Sequence, residues 1–433
     1  MSRLTRLAVL LSTLLSAALA LAVAVAGSAD AAPSRPTRTS PTRTEQIGNA
    51  VLLQASTPKV TTPKVTTRAA TSTVTAGLLA PSTAQLQSLV GSKVTRVVIP
   101  IGWNAVEPQQ NVYNTDALAQ FKSEITTLNG YGFQVVLDLG LQYPPSWVFS
   151  LPGATRFVNQ YGDVWQGSTG EDVANAVFDT SVRSAEAGYI QQLAKSLGSS
   201  AFAAVRVGGL LSGELRYPDA VDNGHTDSIW DYDSAAQAGA PYKGWKPGTG
   251  TAAQARASVQ YYFNSLTGYE TWLMKTVNGA FPGVNQQVML PGWGMRPGML
   301  DDAVNTGMTN NSIAEVNGMI ASGLDWANQV KAISTAGVNG TVYTTWLDAQ
   351  TQANTVQGEA PVDYLASLAA QYHLPLAGEN AGGGGTAALA LCVQRVQADH
   401  LTSFMYMAGP MIDDGSAGIA LSDLTSAAAS IAS

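Results

Sequence analysis

Eight short apolar segments recur along this chain after residue 72, and they constrain its fold more than any other feature. Most are near-continuous apolar runs rather than alternating ones, as expected for parallel strands that helices cover on both faces. The segments span residues 72–79, 95–101, 133–140, 201–209, 286–294, 340–348, 374–380 and 401–409. Helical patterns lie between them. Eight strands alternating with helices predict an α/β fold, the (β/α)8 TIM barrel.

The clearest helical pattern lies between the second and third apolar segments. Asn114 or Thr115 can cap it, Gly130 can end it, and the apolar positions between them fall on one face. A doubly wound open sheet is the alternative architecture, but no G-x-G-x-x-G follows the first segment. The glycine run at 382–385 lacks the Lys and Ser/Thr of a phosphate-binding loop, so we interpret it as a flexible loop.

The beginning of the chain differs in composition from the rest. Arg3 and Arg6 precede an apolar run at 7–26 and an A-x-A pattern, so residues 1–31 are predicted to be a secretory signal peptide. An uncleaved membrane anchor is the alternative, because an apolar run of this length can span a bilayer. Residues 32–71 are rich in Thr and Pro and repeat TPKVT, which predicts an extended linker. The protein is therefore expected to be secreted.

Residues 72–433 are predicted to form one barrel domain with an excess of acidic side chains. Residues 1–71 carry eight basic and two acidic residues, which leaves 15 basic against 28 acidic residues in the remainder. A net charge near −13 repels nucleic acid, and no basic stripe offsets it. We expect no nucleic-acid partner and favour a neutral or cationic one.

The chain holds too few cysteines and histidines for the common metal and nucleophile sites. Cys392 is the only cysteine and lies in a helical pattern, which is typical of a small buried thiol. His225, His373 and His400 are the only histidines, and none has a second histidine at ligand spacing. We therefore expect no metal, no cofactor and no Ser-His-Asp triad.

Two glutamates directly follow predicted strands, Glu214 after the fourth and Glu379 after the seventh. The active site of a (β/α)8 barrel lies at the carboxyl ends of its strands, so both carboxylates are expected at one mouth. Glycosidic bond cleavage needs such a pair, a proton donor and a second carboxylate that attacks the anomeric carbon or activates water. Arg206 or Arg216 is expected beside one glutamate, where it would favour the ionised form.

Other side chains near the predicted strand ends are candidates for substrate binding. Flat rings there can stack on the C–H faces of a sugar, and polar groups can hold its hydroxyls. The candidates are Trp103, Asp138, Trp147, Arg216, Trp293, Trp346, Asn380 and Tyr406. Glu107 is interpreted as a structural residue.

The region of the second and third predicted strands resembles a known group of enzymes. It carries W-x-x-x-E-P at residues 103–108 and P-P-x-W at residues 144–147. This order is similar to that of family 42 β-galactosidases and the wider clan A of retaining glycoside hydrolases. The resemblance implies that Glu214 is the acid/base and Glu379 the nucleophile. Gly213 stands where that clan has an asparagine before the acid/base.

A second resemblance lies in SGELRYP at residues 212–218. This stretch is similar to the signature around the catalytic acid of family 14 β-amylases, barrels that invert configuration. It again implies Glu214 as proton donor, but it makes Glu379 a general base for water. A carboxyl separation of about 5 to 5.5 Å indicates retention, and one of about 6.5 to 9.5 Å indicates inversion.

The prediction is a secreted glycoside hydrolase that acts on a neutral oligo- or polysaccharide, β-galactosidase-like and retaining. The first alternative is an inverting, β-amylase-like hydrolase of α-1,4-glucan. The second is a barrel that binds carbohydrate without catalysis. Family 42 enzymes carry C-terminal domains that support trimers, whereas this chain ends soon after its eighth predicted strand, so a monomer is expected.

Overall fold

The computed structural model describes residues 74–167, 171–407 and 409–432, and its centre is a closed ring of strands. The strands are β1 (Thr75–Leu79), β2 (Val94–Pro100), β3 (Gln134–Asp138), β4 (Ala204–Val207), β5 (Asn285–Leu290), β6 (Gly340–Thr344), β7 (Leu376–Glu379) and β8 (Ser403–Tyr406). Each pairs in parallel with the next, and β8 pairs with β1. The predicted (β/α)8 TIM barrel is confirmed. The predicted signal peptide and linker lie outside the described residues.

Helices surround the ring of strands. They are α1 (Thr83–Leu89), α2 (Trp103–Val106), α3 (Thr115–Gly130), α4 (Thr180–Leu197), α5 (Ser234–Gly239), α6 (Ala252–Ala280), α7 (Met299–Asn305), α8 (Ala314–Ala321), α9 (Trp326–Thr335), α10 (Pro361–Gln371), α11 (Gly385–Ala398), α12 (Gly409–Asp413) and α13 (Leu421–Ile431). The cap of α3 is as predicted, because the Asn114 side chain accepts the N–H of Ala117 at 3.1 Å. Cys392 is buried in α11, also as predicted. No helix in the described part of the chain is long and apolar enough to cross a membrane.

The strands divide their side chains between the barrel interior and the helix layer. One buried cluster takes a single residue from each of seven strands, which identifies it as the filling of the barrel interior. Its members are Val98, Val136, Ala204, Met289, Tyr343, Ala377 and Met405. Because side chains alternate along a strand, the residues two positions further on also point inward. This parity places Asp138, Arg206 and Glu379 inside the barrel at its carboxyl end.

Most of the strands are shorter at their carboxyl ends than the apolar runs suggest. The fourth predicted strand, residues 201–209, is reduced to Ala204–Val207. Gly208 and Gly209 leave the ladder, because the chain turns back there and brings the carbonyl of Gly213 against Gly208. Apolar composition marks burial, but it does not mark the point where ladder pairing stops.

Two long connections follow β3 and β4, over residues 139–179 and 208–251, and the described parts pack on each other. Asn223 donates to Asp163 Oδ1 at 2.6 Å, and the ring of His225 stacks on that of Tyr161 with centroids 3.6 Å apart. Antiparallel bridges brace each loop, one pairing Val158 with Val164. The two loops therefore form one layer on the carboxyl side of the barrel.

Candidate active site

Glu379 ends β7 inside the barrel and is held by two neighbouring strands. Its side chain is buried, with 3% of its surface exposed. The guanidinium of Arg206, on β4, donates to Glu379 Oε2 in an ion pair. The hydroxyl of Tyr343, on β6, donates to the same oxygen at 3.2 Å. Glu379 is thus fixed by donors whose backbones are part of the barrel ladder.

Arg206 contacts several polar and charged side chains at the barrel mouth. Its Nη2 also donates to the Tyr343 hydroxyl at 3.2 Å, and its Nη1 lies 4.0 Å from Asp138 Oδ2. Burial on its own lowers the pKa of Arg206, but the charges of Glu379, Tyr343 and Asp138 raise it overall. A guanidinium that stays charged favours the carboxylate form of its partner. The expectation that Arg206 stands beside one of the two glutamates is met.

Burial and charge also act on Tyr343. The pKa of its hydroxyl is raised, first by burial and then by the negative charge of Glu379, while Arg206 lowers it. The phenol therefore remains protonated and remains a donor. Its hydrogen bond to Glu379 is preserved across the ordinary pH range.

Glu214 reaches the mouth from a tight turn after β4. A short 3-10 turn over Leu211–Gly213 precedes it, with Ser212 at φ 61° and Gly213 at φ 70°. The chain then runs beside β5, because the N–H of Leu215 donates to the carbonyl of Met289 at 3.0 Å. Glu214 itself is buried, with 2% of its surface exposed. Its position therefore depends on backbone geometry rather than on a strand.

Glu171 is a further carboxylate at this site, and the sequence analysis did not single it out. Its Oε2 accepts the backbone N–H of Ser212 at 2.5 Å, and its Oε1 accepts the hydroxyl of Tyr143 at 3.4 Å. Burial raises the pKa of Glu171, the Ser212 N–H lowers it, and the charge of Glu214 raises it again. Glu171 and Glu214 are thus close enough to repel each other.

The structure places the polar candidates in different roles. Asp138 faces the mouth beside Arg206, and its Oδ1 accepts the N–H of Gly140 at 3.0 Å. Arg216 instead donates to Asp219 Oδ1 at 2.6 Å. Asn380 is fully buried and joins the ends of β7 and β8, since its side chain accepts the N–H of Met407 at 2.7 Å. It is a brace within the wall rather than an exposed contact for substrate.

The aromatic candidates also differ in how far they are buried. Trp103 has no exposed surface, because it stacks on Tyr189 and donates to Glu107 Oε2 at 2.9 Å. It supports the wall of the site from the core, and this contact agrees with a structural role for Glu107. Trp147 packs edge-on against Trp103 and remains half-buried.

The other aromatic candidates come from later strands. Trp293 and Trp346, which follow β5 and β6, are half-buried and keep exposed ring surface. Tyr406 is one residue out of register with the inward-facing Met405, and it is 1% exposed. It therefore faces the helix layer, where burial and, after it, the neighbouring Cys392 of α11 raise the pKa of its hydroxyl to about 12. The expectation that its ring stacks on a sugar does not agree with this placement.

Several solved structures share this architecture. The catalytic domain of a β-amylase from Paenibacillus polymyxa aligns with a TM-score of 0.65 at 16% identity, over 83% of this chain and 98% of that one. A β-galactosidase from Halorubrum lacusprofundi aligns with a TM-score of 0.53 at 14% identity, over 82% of this chain. One from Marinomonas ef1 aligns with a TM-score of 0.54 at 11% identity, also over 82%. The chain shares their fold.

The lengths of these neighbours differ. This chain spans only 57% and 59% of the two β-galactosidases, but almost all of the β-amylase catalytic domain. No protein-family model and no curated protein matches the sequence. The resemblance that the motifs indicated, to barrels of these two kinds, is confirmed at the level of the fold. In the described residues, no group of three or more His, Cys, Asp or Glu side chains is arranged to hold a metal ion.

Proposed function

We propose that this protein is a glycoside hydrolase, with Glu214 as general acid and Glu379 as the second carboxylate. The observation that carries the proposal is a pair of buried glutamates at one barrel mouth with different neighbours. Glu379 contacts the cation Arg206, whereas Glu214 lies on the turn that Glu171 contacts. A positive neighbour favours the carboxylate form of Glu379. Acid and base roles at one pH require that the two carboxyl groups differ in their surroundings.

The chemistry follows from the use of Glu214 as an acid and of Glu379 as a carboxylate. Protonated Glu214 donates its proton to the glycosidic oxygen as the bond to the anomeric carbon breaks. Ionised Glu379 supplies the negative charge that an oxocarbenium-like transition state needs, because Arg206 and Tyr343 keep its carboxylate charged and fixed in direction. Asp138 lies on the far side of Arg206 and balances the charge of the guanidinium.

Two stereochemical outcomes are candidates. In the retaining, β-galactosidase-like one, Glu379 attacks the anomeric carbon, and its rigid support by Arg206 and Tyr343 suits a nucleophile. In the inverting, β-amylase-like one, Glu379 activates water, and the substrate is an α-1,4-glucan. The specific support for the second is the likeness to the β-amylase catalytic domain over nearly all of that domain, together with SGELRYP.

The deciding experiment is NMR of the anomeric proton during hydrolysis by the full chain. The panel holds galactosides, glucosides, xylans and starch, so it covers both candidate substrates. The first-formed anomer reports retention or inversion directly. Glu214→Gln and Glu379→Gln are expected to lower turnover at least about a thousandfold, because each removes one carboxylate of the pair.

The controls separate lost chemistry from lost folding. Asp301→Asn changes an exposed carboxylate on α7 and is expected to leave turnover unchanged. Thermal unfolding of each variant shows whether the barrel persists, because breaking the buried pair with Arg206 can cost about 3–5 kcal/mol. Wild-type turnover in both folded glutamate variants would refute the proposal. Saturable sugar binding without turnover in the parent would instead identify a carbohydrate-binding barrel.

A further inference from the structure

One carboxylate, Glu171, joins the long loop after β3 to the turn that carries Glu214. Both Glu171 and its partner Tyr143 belong to the loop after β3. Its other partner, the N–H of Ser212, lies two residues before Glu214 in the loop after β4. We call this set of contacts the Glu171 bridge. It is a side-chain contact that joins the loop after β3 to the turn before Glu214.

The turn that the bridge holds is strained at one position. Ser212 adopts a left-handed φ of 61°, and Gly213 follows at 70°. A left-handed φ is unfavourable for a non-glycine residue, so it persists only where its surroundings enforce it. The hydrogen bond from the Ser212 N–H to Glu171 Oε2 opposes this strain.

The same carboxyl group lies beside Glu214, the proposed proton donor. The groups that face Glu171 are Tyr143 and Asp138 on the β3 side and Ser212 and Glu214 on the β4 side. Burial and the charges of Glu171 and Asp138 raise the pKa of Tyr143 to about 12, so its hydroxyl remains a donor. The carboxyl groups of Glu171 and Glu214 are therefore neighbours at this turn.

We propose that Glu171 is a positioning residue for Glu214, which holds the turn at Ser212 and Gly213. This inference rests on the proposed function, because it concerns the proton donor of that reaction. It has a geometric part, the restraint of the turn, and a catalytic part, the placement of the acid. Each part has its own test.

The geometric part is tested without any substrate, by hydrogen–deuterium exchange of the full chain. In Glu171→Ala, the peptide spanning residues 208–217 is expected to exchange faster than in the parent, while peptides from the barrel strands are unchanged. The matched control is Glu315→Gln, an exposed carboxylate on α8, which is expected to leave every peptide unchanged. Parent-like exchange in the 208–217 peptide of Glu171→Ala would overturn the bridge.

A second variant covers the case in which Glu171→Ala fails to fold. Glu171→Gln keeps an oxygen that can accept the Ser212 N–H, but it removes the charge. Its 208–217 peptide is expected to exchange faster than in the parent, because a neutral amide oxygen is a weaker acceptor than a carboxylate. Exchange equal to the parent in both Glu171→Gln and Tyr143→Phe would overturn the bridge.

The catalytic part is tested on a glycoside that the parent cleaves. Glu171→Ala is expected to lower kcat about a hundredfold with little change in KM, because the acid is misplaced while the substrate still binds. Glu171→Gln, which keeps an acceptor for the Ser212 N–H, is expected to recover part of kcat. Parent-like kcat in a folded Glu171→Ala would overturn this part.

The two ways of failing are distinguishable. If the parent cleaves no glycoside in the panel, the proposed function fails, and the exchange experiment still decides whether Glu171 holds the turn. If the parent is active and the Glu171 variants match it in kcat, the positioning role alone fails.

Discussion

The hydroxyl of Tyr343 contacts both members of the Arg206–Glu379 ion pair. Arg206 donates to it at 3.2 Å, and it donates to Glu379 at 3.2 Å. The hydroxyl therefore fixes the angle between the two charged groups. The ring below it fills the barrel interior and is fully buried.

Tyr343→Phe removes this hydroxyl and keeps the ring. We expect kcat to fall about tenfold to a hundredfold, because Glu379 loses one of its orienting donors. The free energy of unfolding should fall by only about 1 kcal/mol, the usual net value of one hydrogen bond. Steady-state kinetics and thermal unfolding of the purified variant measure the two effects.

Tyr406→Phe is the matched control. It removes a phenolic hydroxyl from β8 that faces the helix layer, and no hydrogen-bond partner is found for it among the described residues. Its activity should equal that of the parent. A loss as large as that of Tyr343→Phe would show that the mouth extends to Tyr406, as the sequence analysis expected.

These residues show what the sequence could indicate about the site and what it could not. Glu214 and Glu379 were identified because each follows an apolar run directly, and barrel geometry brings such positions together. Tyr343 lies within a strand that is buried on both faces and carries threonines among its apolar residues, so no alternation reveals that it points inward. Glu171 lies in a long loop, where no periodicity constrains which side chain returns to the mouth.

Among the elements of the fold, the segment after β4 depends on a glycine at one position. Gly208 ends the strand, and a Cβ placed there would lie 2.0 Å from the carbonyl oxygen of Gly213. The glycine is required by close approach of backbone to backbone. The chain can return on itself only because this position has no side chain.

Gly208→Ala should therefore displace the turn and move Glu214 with it. We expect a loss of stability of about 1–3 kcal/mol from overpacking and a larger loss of kcat, because Glu214, the proposed proton donor, leaves its position. The control is Gly268→Ala in α6, where nothing lies within 4 Å of the added methyl group. That variant should gain about 1 kcal/mol and keep full activity. Equal kcat in the two variants would contradict the role of Gly208.

The number and order of the elements were predictable, whereas some of their ends were not. The strands and the capped helix α3 follow from apolar runs and from Asn114. The end of β4 does not, because it is set by the contact between Gly208 and Gly213, which are neighbours only after folding. Tertiary contacts of this kind leave no local pattern.

For the molecule as a whole, buried carboxyl groups link stability to pH. Burial raises the pKa of Glu186, between α4 and α6, to about 8, although the hydroxyl of Tyr269 and the charge of Arg183 lower it. Burial and the charge of Asp233 raise the pKa of Asp231 to about 7. These groups keep their protons in the folded chain at a pH where the unfolded chain has lost them.

The direction in which stability changes with pH follows from the raised pKa of Glu186. Unfolding releases a proton from Glu186 between about pH 4.5 and pH 8, so the free energy of unfolding falls as pH rises, by up to about 1.4 kcal/mol per unit. Glu186→Gln has no proton to release, and its stability should fall less over this range. Denaturant unfolding at several pH values from 5 to 8 measures the slopes, with Glu315→Gln as the exposed control. Parallel slopes for Glu186→Gln and the parent would contradict the assignment.

The side chains at the barrel mouth are carried by two kinds of backbone, strands and loops. Arg206, Tyr343 and Glu379 stand on ladder-paired strands, whereas Glu171 and Glu214 stand on the two loops that pack on each other. Protein engineering can therefore treat the two groups separately. Residues 144–166 and 219–250 contain none of those five residues, so a library can vary these loop segments while the charged side chains of the mouth are kept.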